Sequence, residues 1–566
     1  MTAYQATYQY WLEQTAGNRE LHEELLQIQP DEAAIEDRFY RDLEFGTGGL
    51  RGVLGAGSNR MNVYTVAKAT QGYCNYLQKK FEAPTVAIAY DSRIHSGLFA
   101  QTAAGVFAAN RVMVHIYPQL MPTPSLSFAV RDLHCSGGIV ITASHNPSKY
   151  NGYKVYGSDG CQITTQAARE IQTEIDAIDP FTQVQWMDFE EALKQGLAAY
   201  IGDDLTARYL QAVSDASVLP ADVPRDVSIV YTPLNGAGIS CVPRCLEKNG
   251  FTSVIIPEEQ RTPDGTFPTC PYPNPEVREA LQVGLEWARR SKSELLLATD
   301  PDCDRVGAAV RQGDGYILIS GNEMGVLLLD FICKMRLEAG TMPERPVAVK
   351  TIVTTPMAAR VAERYQVELR DVLTGFKFIG EQIGLLEQEG HLERYVFGFE
   401  ESYGYLSGGF VRDKDAVNAS LLICEMFAYY KAQGKSLLDV LAQLYEQYGF
   451  YESRLLNFTF EGTAGLTQMQ ERMRVLRENP PCTLAGIAVE RTVDYEAGGT
   501  GLPPSNVIRF YLAGGLEAVA RPSGTEPKLK VYLTAVGPSA GESRRIVDQL
   551  DAAFTQWAGS GTWAER

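Results

Sequence analysis

The 566-residue chain lacks any apolar run near the roughly 20 residues of a membrane span. It also lacks a charged-then-apolar leader: the stretch from Met1 to Glu23 is polar and acidic. A basic excess is missing too. The net charge of −18 would repel a phosphate backbone, which argues against nucleic acid as a general partner. Cysteine is sparse and scattered at ten residues, several of them (Cys74, Cys135, Cys333, Cys424) inside apolar segments. Only Cys241 and Cys245 lie close together, with no second Cys or His pair to complete a zinc site. These absences describe a cytoplasmic protein with reduced thiols that binds neither membrane nor nucleic acid.

What is present is an ordinary globular composition, 45% apolar and 21% charged, over a length that suggests roughly three to five domains. Residues 1–45 carry Trp11, Leu21, Leu25, Ile28, Ile35 and Phe39 near helical spacing, which predicts a helical packing extension without chemistry. A helix follows at 64–81, with strands at 85–90, 112–117 and 139–141. Such alternation predicts an α/β unit with a largely parallel sheet. The polar stretch 180–204 reads as irregular and marks a boundary. Strands at 227–231, 254–256 and 294–298 predict a second α/β unit, and strands at 347–351, 367–373 and 395–397 a third. A long helical stretch then spans 416–448. Beyond Phe450, strands at 453–460, 506–512 and 529–534 and a helix at 541–557 predict a separate α+β domain. The expected domains are 1–204, 205–312, 313–449 and 450–566.

Chemistry concentrates where strands end. The run Gly137–Ile141 ends in Thr142-Ala143-Ser144-His145-Asn146-Pro147, which puts Ser144 on a loop at a strand's C-terminal end, where open α/β sheets hold ligands. A hydroxyl held there beside His145 suits a nucleophile or phosphate carrier. The loop is not a hydrolase elbow, because Thr142 and Asn146 stand where that motif needs glycine. Downstream, Asn151-Gly152 predicts a turn that returns Lys154 toward the serine. The strand ending at Ala298 runs into Thr299-Asp300-Pro301-Asp302-Cys303-Asp304-Arg305. Three carboxylates at alternate positions supply hard oxygen ligands for Mg²⁺, and packed without a cation they would repel one another. A calcium loop is excluded, because Arg305 and Arg311 occupy the sites where it needs Gly and Glu.

Three further loops carry charge or hydroxyls. Phe45 to Gly52 brackets Arg51 with four glycines, so that amides and a guanidinium can approach an anion. Gly398-Phe399-Glu400-Glu401-Ser402-Tyr403-Gly404 offers paired acids and a hydroxyl for sugar hydroxyls, or a helix cap. Arg521-Pro522-Ser523-Gly524-Thr525-Glu526-Pro527-Lys528 has the groups to hold a tetrahedral dianion. It lacks the Gly-Lys-Ser/Thr end of a nucleotide P-loop.

In this order, the loops at 142–147, 300–305, 398–404 and 521–527 resemble the phosphoserine, metal, sugar and phosphate loops of the α-D-phosphohexomutase superfamily, over nearly the whole chain. The resemblance implies three similar α/β domains with mixed, largely parallel sheets and a fourth, smaller α+β domain around a central cleft. It also implies phosphoryl transfer through a phosphoserine at Ser144, with one Mg²⁺ held by Ser144, Asp300, Asp302 and Asp304. Lys154 is the implied general acid/base, beside Arg51 and His145. Glu400 and Ser402 would hold sugar hydroxyls, and Arg521, Ser523, Gly524 and Thr525 the non-reacting phosphate. Thr374, Gly375, Lys377, Lys414 and Arg305 are further contacts. The implied reaction interconverts glucose 1-phosphate and glucose 6-phosphate through glucose 1,6-bisphosphate, in a monomer or small homo-oligomer. The Glu-Glu-Ser sugar loop resembles glucose-type mutases, whereas the N-terminal extension and the Arg51 loop resemble a branch with phosphopentomutases. Pentose and mannose phosphates therefore stand as alternative substrates. A non-catalytic sugar-phosphate sensor would lack the serine, an aspartate or the lysine, and all are present.

Overall fold

The computed structural model describes residues 1–46, 48–460, 465–523 and 528–560. Three helices (Ala3–Gln14, Arg19–Ile28, Glu32–Phe39) form the N-terminal extension around Tyr8, Trp11, Leu21, Leu25, Ile35 and Phe39. Each begins at a polar residue, Thr2, Asn18 or Asp31, whose side chain accepts a backbone N–H of the first turn.

Four sheets follow. The first contains β1 (Gly49–Val53), β2 (Thr85–Tyr90), β3 (Met113–Ile116), β4 (Gly137–Ile141), β5 (Tyr150–Gly157) and β6 (Ala198–Tyr200), in the spatial order β1-β5-β4-β2-β3-β6. The second contains β7 (Ile229–Thr232), β8 (Val254–Ile255), β9 (Leu295–Thr299), β10 (Val306–Gln312) and β11 (Gly315–Ile319), ordered β11-β10-β9-β7-β8. The third contains β12 (Val347–Thr351), β13 (Glu368–Val372), β14 (Tyr395–Glu400) and β15 (Gly404–Leu406), ordered β13-β12-β14-β15. The fourth is wholly antiparallel, with β16 (Phe450–Thr459), β17 (Thr483–Leu484), β18 (Ile487–Asp494), β19 (Ile508–Leu512), β20 (Leu516–Pro522) and β21 (Lys528–Gly537).

One unit repeats in the first three sheets. In β3-β2-β4-β5, β8-β7-β9-β10 and β13-β12-β14-β15, three strands run parallel and the fourth turns back antiparallel. The third strand of each unit is fully buried, an apolar run with helices on both faces. Its end is a short hairpin, and those hairpins hold Ser144, Asp300 to Arg305, and Glu401 to Tyr403. A single apolar cluster runs through all three units, from Ala87 and Val140 through Leu297 to Phe397, and holds them at a common junction. The fourth sheet has its own core around Phe510, Leu533, Phe554 and Trp557. All ten cysteines are free thiols, nine buried and Cys482 exposed. No described helix is long and apolar enough to cross a membrane.

Four local expectations are corrected. Asn151-Gly152 is no turn but lies inside β5, opposite Gly52 and Arg51 of β1. Lys154 returns toward the serine because β5 pairs antiparallel with β4, Lys154 facing Val140. The second half of the glycine-rich stretch, from Gly49, is strand β1 rather than loop, and a Cβ on Gly49 would fall 1.8 Å from the Tyr153 carbonyl oxygen. The stretch 180–204 is not irregular: it holds a helix, Phe189–Lys194, and strand β6, which pairs with β3. The single helical stretch at 416–448 is two helices, Ala416–Ala432 and Leu437–Tyr448, parted at Gly434, whose φ of 71° ends the first.

Candidate active site

Ser144 sits at the junction of the first two sheets, buried, with its backbone in the left-handed region at φ 52°. That conformation costs a residue with a side chain about 1–2 kcal/mol, so the surroundings must hold it. The Ser144 N–H donates to Thr142 Oγ1 at 2.8 Å, and Thr142 Oγ1 donates to Asp91 Oδ2 at 2.6 Å. The Ser144 hydroxyl donates to Asp300 Oδ2 at 2.8 Å and lies 3.3 Å from His145 Nδ1. A serine of one domain is thus bonded to an aspartate of the next.

Asp300, Asp302 and Asp304 are buried together, with ligand oxygens within 4.8 Å of one another. Their bonds divide by oxygen. Asp300 Oδ1 accepts the Asp304 and Arg305 N–H groups. Asp302 Oδ2 accepts Lys154 Nζ at 2.7 Å and Thr123 Oγ1 at 3.0 Å. Asp304 Oδ2 takes Lys154 Nζ at 3.3 Å and Lys414 Nζ at 3.2 Å. Asp302 Oδ1 and Asp304 Oδ1 are buried and accept no hydrogen bond, Arg305 Nε lying 3.7 Å from Asp304 Oδ1. Orphaned carboxylate oxygens are costly in a low dielectric. Two of them beside Asp300 fit a divalent cation that prefers hard oxygens.

The electrostatics agree. Burial and the charges of Asp302 and Asp304 push the Asp300 carboxyl well above the carboxylate range. Against the penalty of burial, the Lys154 ammonium holds Asp302 below that range. Burial likewise opposes the charged forms of Lys154 and Lys414, but the neighbouring aspartates outweigh it and raise both. Burial, with the charges of Arg305 and Arg51, pushes His145 well below its ordinary value and keeps it neutral.

Above this floor opens a cleft of about 1150 Å³ that draws walls from the first, third and fourth sheets and from loops around the second. Arg51, His145, Arg305, Glu400, Ser402 and Lys414 line it, together with Thr374, Gly375, Arg521 and Ser523. Arg51 Nη1 reaches Asn146 Oδ1 at 3.4 Å. Glu400 Oε1 accepts the Gly375 N–H at 2.9 Å, and Arg521 bonds Thr374 Oγ1 across the third and fourth sheets. Arg305 is held by Glu276 at 2.8 Å and by the Ser402 carbonyl at 3.2 Å. Lys377 is not among the lining residues; its carbonyl accepts the Cys161 thiol at 3.3 Å. Gly524 and Thr525 lie outside the described residues. Sequence reasoning missed Thr123, Glu276, Asp91 and Arg93. Each is a lone polar residue whose burial or partner only the fold reveals.

These features define a multidomain α/β protein with a serine–lysine–aspartate centre at the junction of its domains. Models of the phosphoglucomutase/phosphomannomutase α/β/α domains I, II and III match residues 42–181, 207–313 and 320–448. A phosphoglucomutase of Staphylococcus aureus (strain USA300) is 36% identical over 548 residues, covering 94% of this chain and 95% of that protein. One of Staphylococcus haemolyticus is 36% identical over 512 residues, 88% of this chain and 91% of that protein. The chain belongs to the phosphoglucomutase/phosphomannomutase family. Two solved structures share the fold at low identity. A phosphomannomutase-like protein of Thermus thermophilus has a TM-score of 0.67 at 22% identity, covering 90% of this chain and 99% of that one. Paramecium parafusin, in an open form, has a TM-score of 0.68 at 18% identity, covering 93% and 97%.

Proposed function

We propose that the protein is a phosphoglucomutase, an intramolecular phosphotransferase that interconverts glucose 1-phosphate and glucose 6-phosphate. The observation that carries this reading is the floor of the cleft. There a serine hydroxyl, a lysine and three aspartates from two domains form one hydrogen-bonded cluster beneath sugar- and phosphate-sized space.

In this reading Ser144 Oγ carries a phosphoryl group and passes it to the free hydroxyl of the bound sugar phosphate. Lys154 moves the proton: it donates to Ser144 Oγ as the phosphoryl leaves, and recovers a proton from the attacked hydroxyl. Asp300, Asp302 and Asp304, with the phosphorylated serine, hold one Mg²⁺, which supplies positive charge against the transferring phosphoryl. Glu400 and Ser402 hold sugar hydroxyls. Arg521, Ser523, Gly524 and Thr525 grip the distal phosphate, and Arg305, Lys414, Lys377, Thr374 and Gly375 add contacts. The product of the first transfer, glucose 1,6-bisphosphate, turns end for end and returns its other phosphate to Ser144. The cleft, at about 1150 Å³, exceeds the usual upper bound of about 1000 Å³ for a small-molecule pocket, which leaves room for the turn. The expected domain limits at 204, 312 and 449 belong to the same proposal.

Interconversion of the two glucose phosphates, with Mg²⁺ and a trace of bisphosphate, tests it beside Ser144→Ala. Turnover that vanishes in the variant supports the reading. Activity that survives removes Ser144 as carrier, and activity confined to ribose or mannose phosphates moves the substrate.

A further inference from the structure

Arg93 lies at the end of β2, in a loop, yet only 3% of it is exposed. Its guanidinium has five N–H donors, and all five are spent on the Ser144 hairpin. Nε donates to the Ser144 carbonyl at 3.2 Å. Nη1 donates to the carbonyls of Pro147 and Tyr150, both at 3.0 Å. Nη2 donates to the carbonyls of Ser144 and Asn146. Four carbonyls therefore converge on one cation, an arrangement possible because Ser144 adopts the left-handed backbone.

The far side of the guanidinium is covered by the second domain. Its carbon lies 5.0 Å from the centre of the Phe267 ring. Arg93 also forms a β-bridge with Gly265, where a side chain is impossible because a Cβ would fall 2.4 Å from the Ile94 nitrogen. The segment behind that bridge is tied to the aspartate hairpin. The Asp264 N–H donates to the Asn235 carbonyl at 3.0 Å, and the Ala237 N–H to the Pro301 carbonyl at 2.7 Å. The serine hairpin and the aspartate hairpin thus have a further connection, independent of the Ser144–Asp300 hydrogen bond and of the Lys154 ion pairs.

We propose that Arg93 is a positioning residue for phosphoryl transfer, fixing Ser144 Oγ against the aspartate cluster through the four hairpin carbonyls and braced by Phe267. This rests on the phosphoserine reading above. Arg93 is not among the residues that line the cleft, so its loss changes the rate of transfer and not the binding of sugar phosphate. A lysine keeps the charge and most of the stem but has only three donors on one atom, and cannot span the carbonyls.

Kinetics of the full-length protein with glucose 1-phosphate, Mg²⁺ and glucose 1,6-bisphosphate decide the matter, beside Arg93→Lys and Phe267→Leu. The phosphorylated fraction of Ser144 is counted by intact mass. A nucleophile displaced by about 1 Å loses on the order of 100-fold in rate. Arg93→Lys should therefore lose roughly 10- to 100-fold in kcat per phosphorylated Ser144, with KM for glucose 1-phosphate within about twofold. Phe267→Leu, which keeps all five donors, should lose less in the same parameter. If Arg93→Lys does not fold, Phe267→Leu decides alone. A role in folding only would lower the melting temperature and leave kcat per phosphorylated serine unchanged, and that result overturns the proposal. So does a loss confined to KM. A parent protein that neither takes up phosphate from the bisphosphate nor turns over glucose 1-phosphate overturns the functional reading, and this inference with it. An active parent with an unimpaired Arg93→Lys overturns the inference alone.

Discussion

Thr123→Val separates the cation site from the rest of the machinery. Thr123 begins the helix Thr123–Asp132 of the first domain, is fully buried, and donates its hydroxyl to Asp302 Oδ2 at 3.0 Å. Its backbone N–H donates to the Asp302 carbonyl at 2.8 Å, a bond that valine keeps. Valine has the same branched shape, so no cavity opens; only the donor is lost. A hydrogen bond to a charged group contributes about 1.5–3 kcal/mol, and water has no access to replace it. Asp302 keeps Lys154 on the same oxygen, but with its second donor gone the carboxylate is held less firmly and its unbonded Oδ1 is less well fixed for a cation. Loss of an outer partner of a metal ligand costs roughly 10- to 100-fold in metal affinity. The half-saturating Mg²⁺ concentration should rise by about that factor, with kcat at saturating Mg²⁺ within about twofold of the parent. The assay is turnover of glucose 1-phosphate against Mg²⁺ concentration, with a thermal melt at each. A half-saturating concentration unchanged within twofold would refute the assignment of the orphaned oxygens to a cation.

Lys154→Met should lower kcat by roughly 10²- to 10⁴-fold, the range of a lost acid/base. It also leaves Asp302 and Asp304 short of a buried cation, so stability should fall by about 3–5 kcal/mol, read by urea unfolding. Arg521→Ala removes the bond to Thr374 and a charge from the cleft; KM for glucose 1-phosphate should rise about 10- to 100-fold, kcat changing less. Asp415 caps the helix Ala416–Ala432, and burial pushes its carboxyl from 3.8 up to about 6. A raised value favours the folded state below the unfolded pKa, and the advantage is lost as pH climbs through about 6. Asp415→Asn keeps the cap and removes the charge. Its melting temperature relative to the parent should rise between pH 4 and pH 8, by an equivalent of up to about 3 kcal/mol. A flat difference across that range would refute the argument.

The parts of the molecule legible in the sequence were those where one residue type carries one physical meaning. The apolar runs at 85–90, 139–141 and 295–298 are strands because nothing else buries such runs on both faces. Asp300, Asp302 and Asp304 stood out because like charges crowded at a strand's end repel one another unless cations lie among them, and Lys154 and Lys414 are two such cations. Legibility failed where one residue serves two purposes. Gly152 follows an asparagine, the strongest hairpin signal, yet it is glycine because a Cβ there would lie 2.4 Å from the Thr142 carbonyl and 2.9 Å from that of Leu50. The adjacent Asn151 turns inward to bond the Ile94 carbonyl and Ser96. Arg93 drew no functional reading, because no local pattern shows that five carbonyl contacts from residues about 50 positions later will surround it. The returning strands β5, β10 and β15 went unseen for the same reason: their pairing partners, not their own patterns, define them.

The hairpin that repeats in the first three sheets has a consequence for how the molecule tolerates change. No single domain owns the cleft: one copy of the hairpin contributes the hydroxyl, another the aspartates, and the third the paired acids Glu400 and Glu401 in its wall. The copies are no longer interchangeable, and damage to any one leaves the others nothing to act on. Tolerance is therefore unequal along the chain. A residue added to a crossover helix on the far edge of a sheet changes a surface. A residue added to β5 between its hairpin and Lys154 turns every later side chain to the opposite face of the sheet and carries the amine away from the aspartates. Length variation among functional descendants of this chain should accordingly gather in the crossovers and spare the three returning strands.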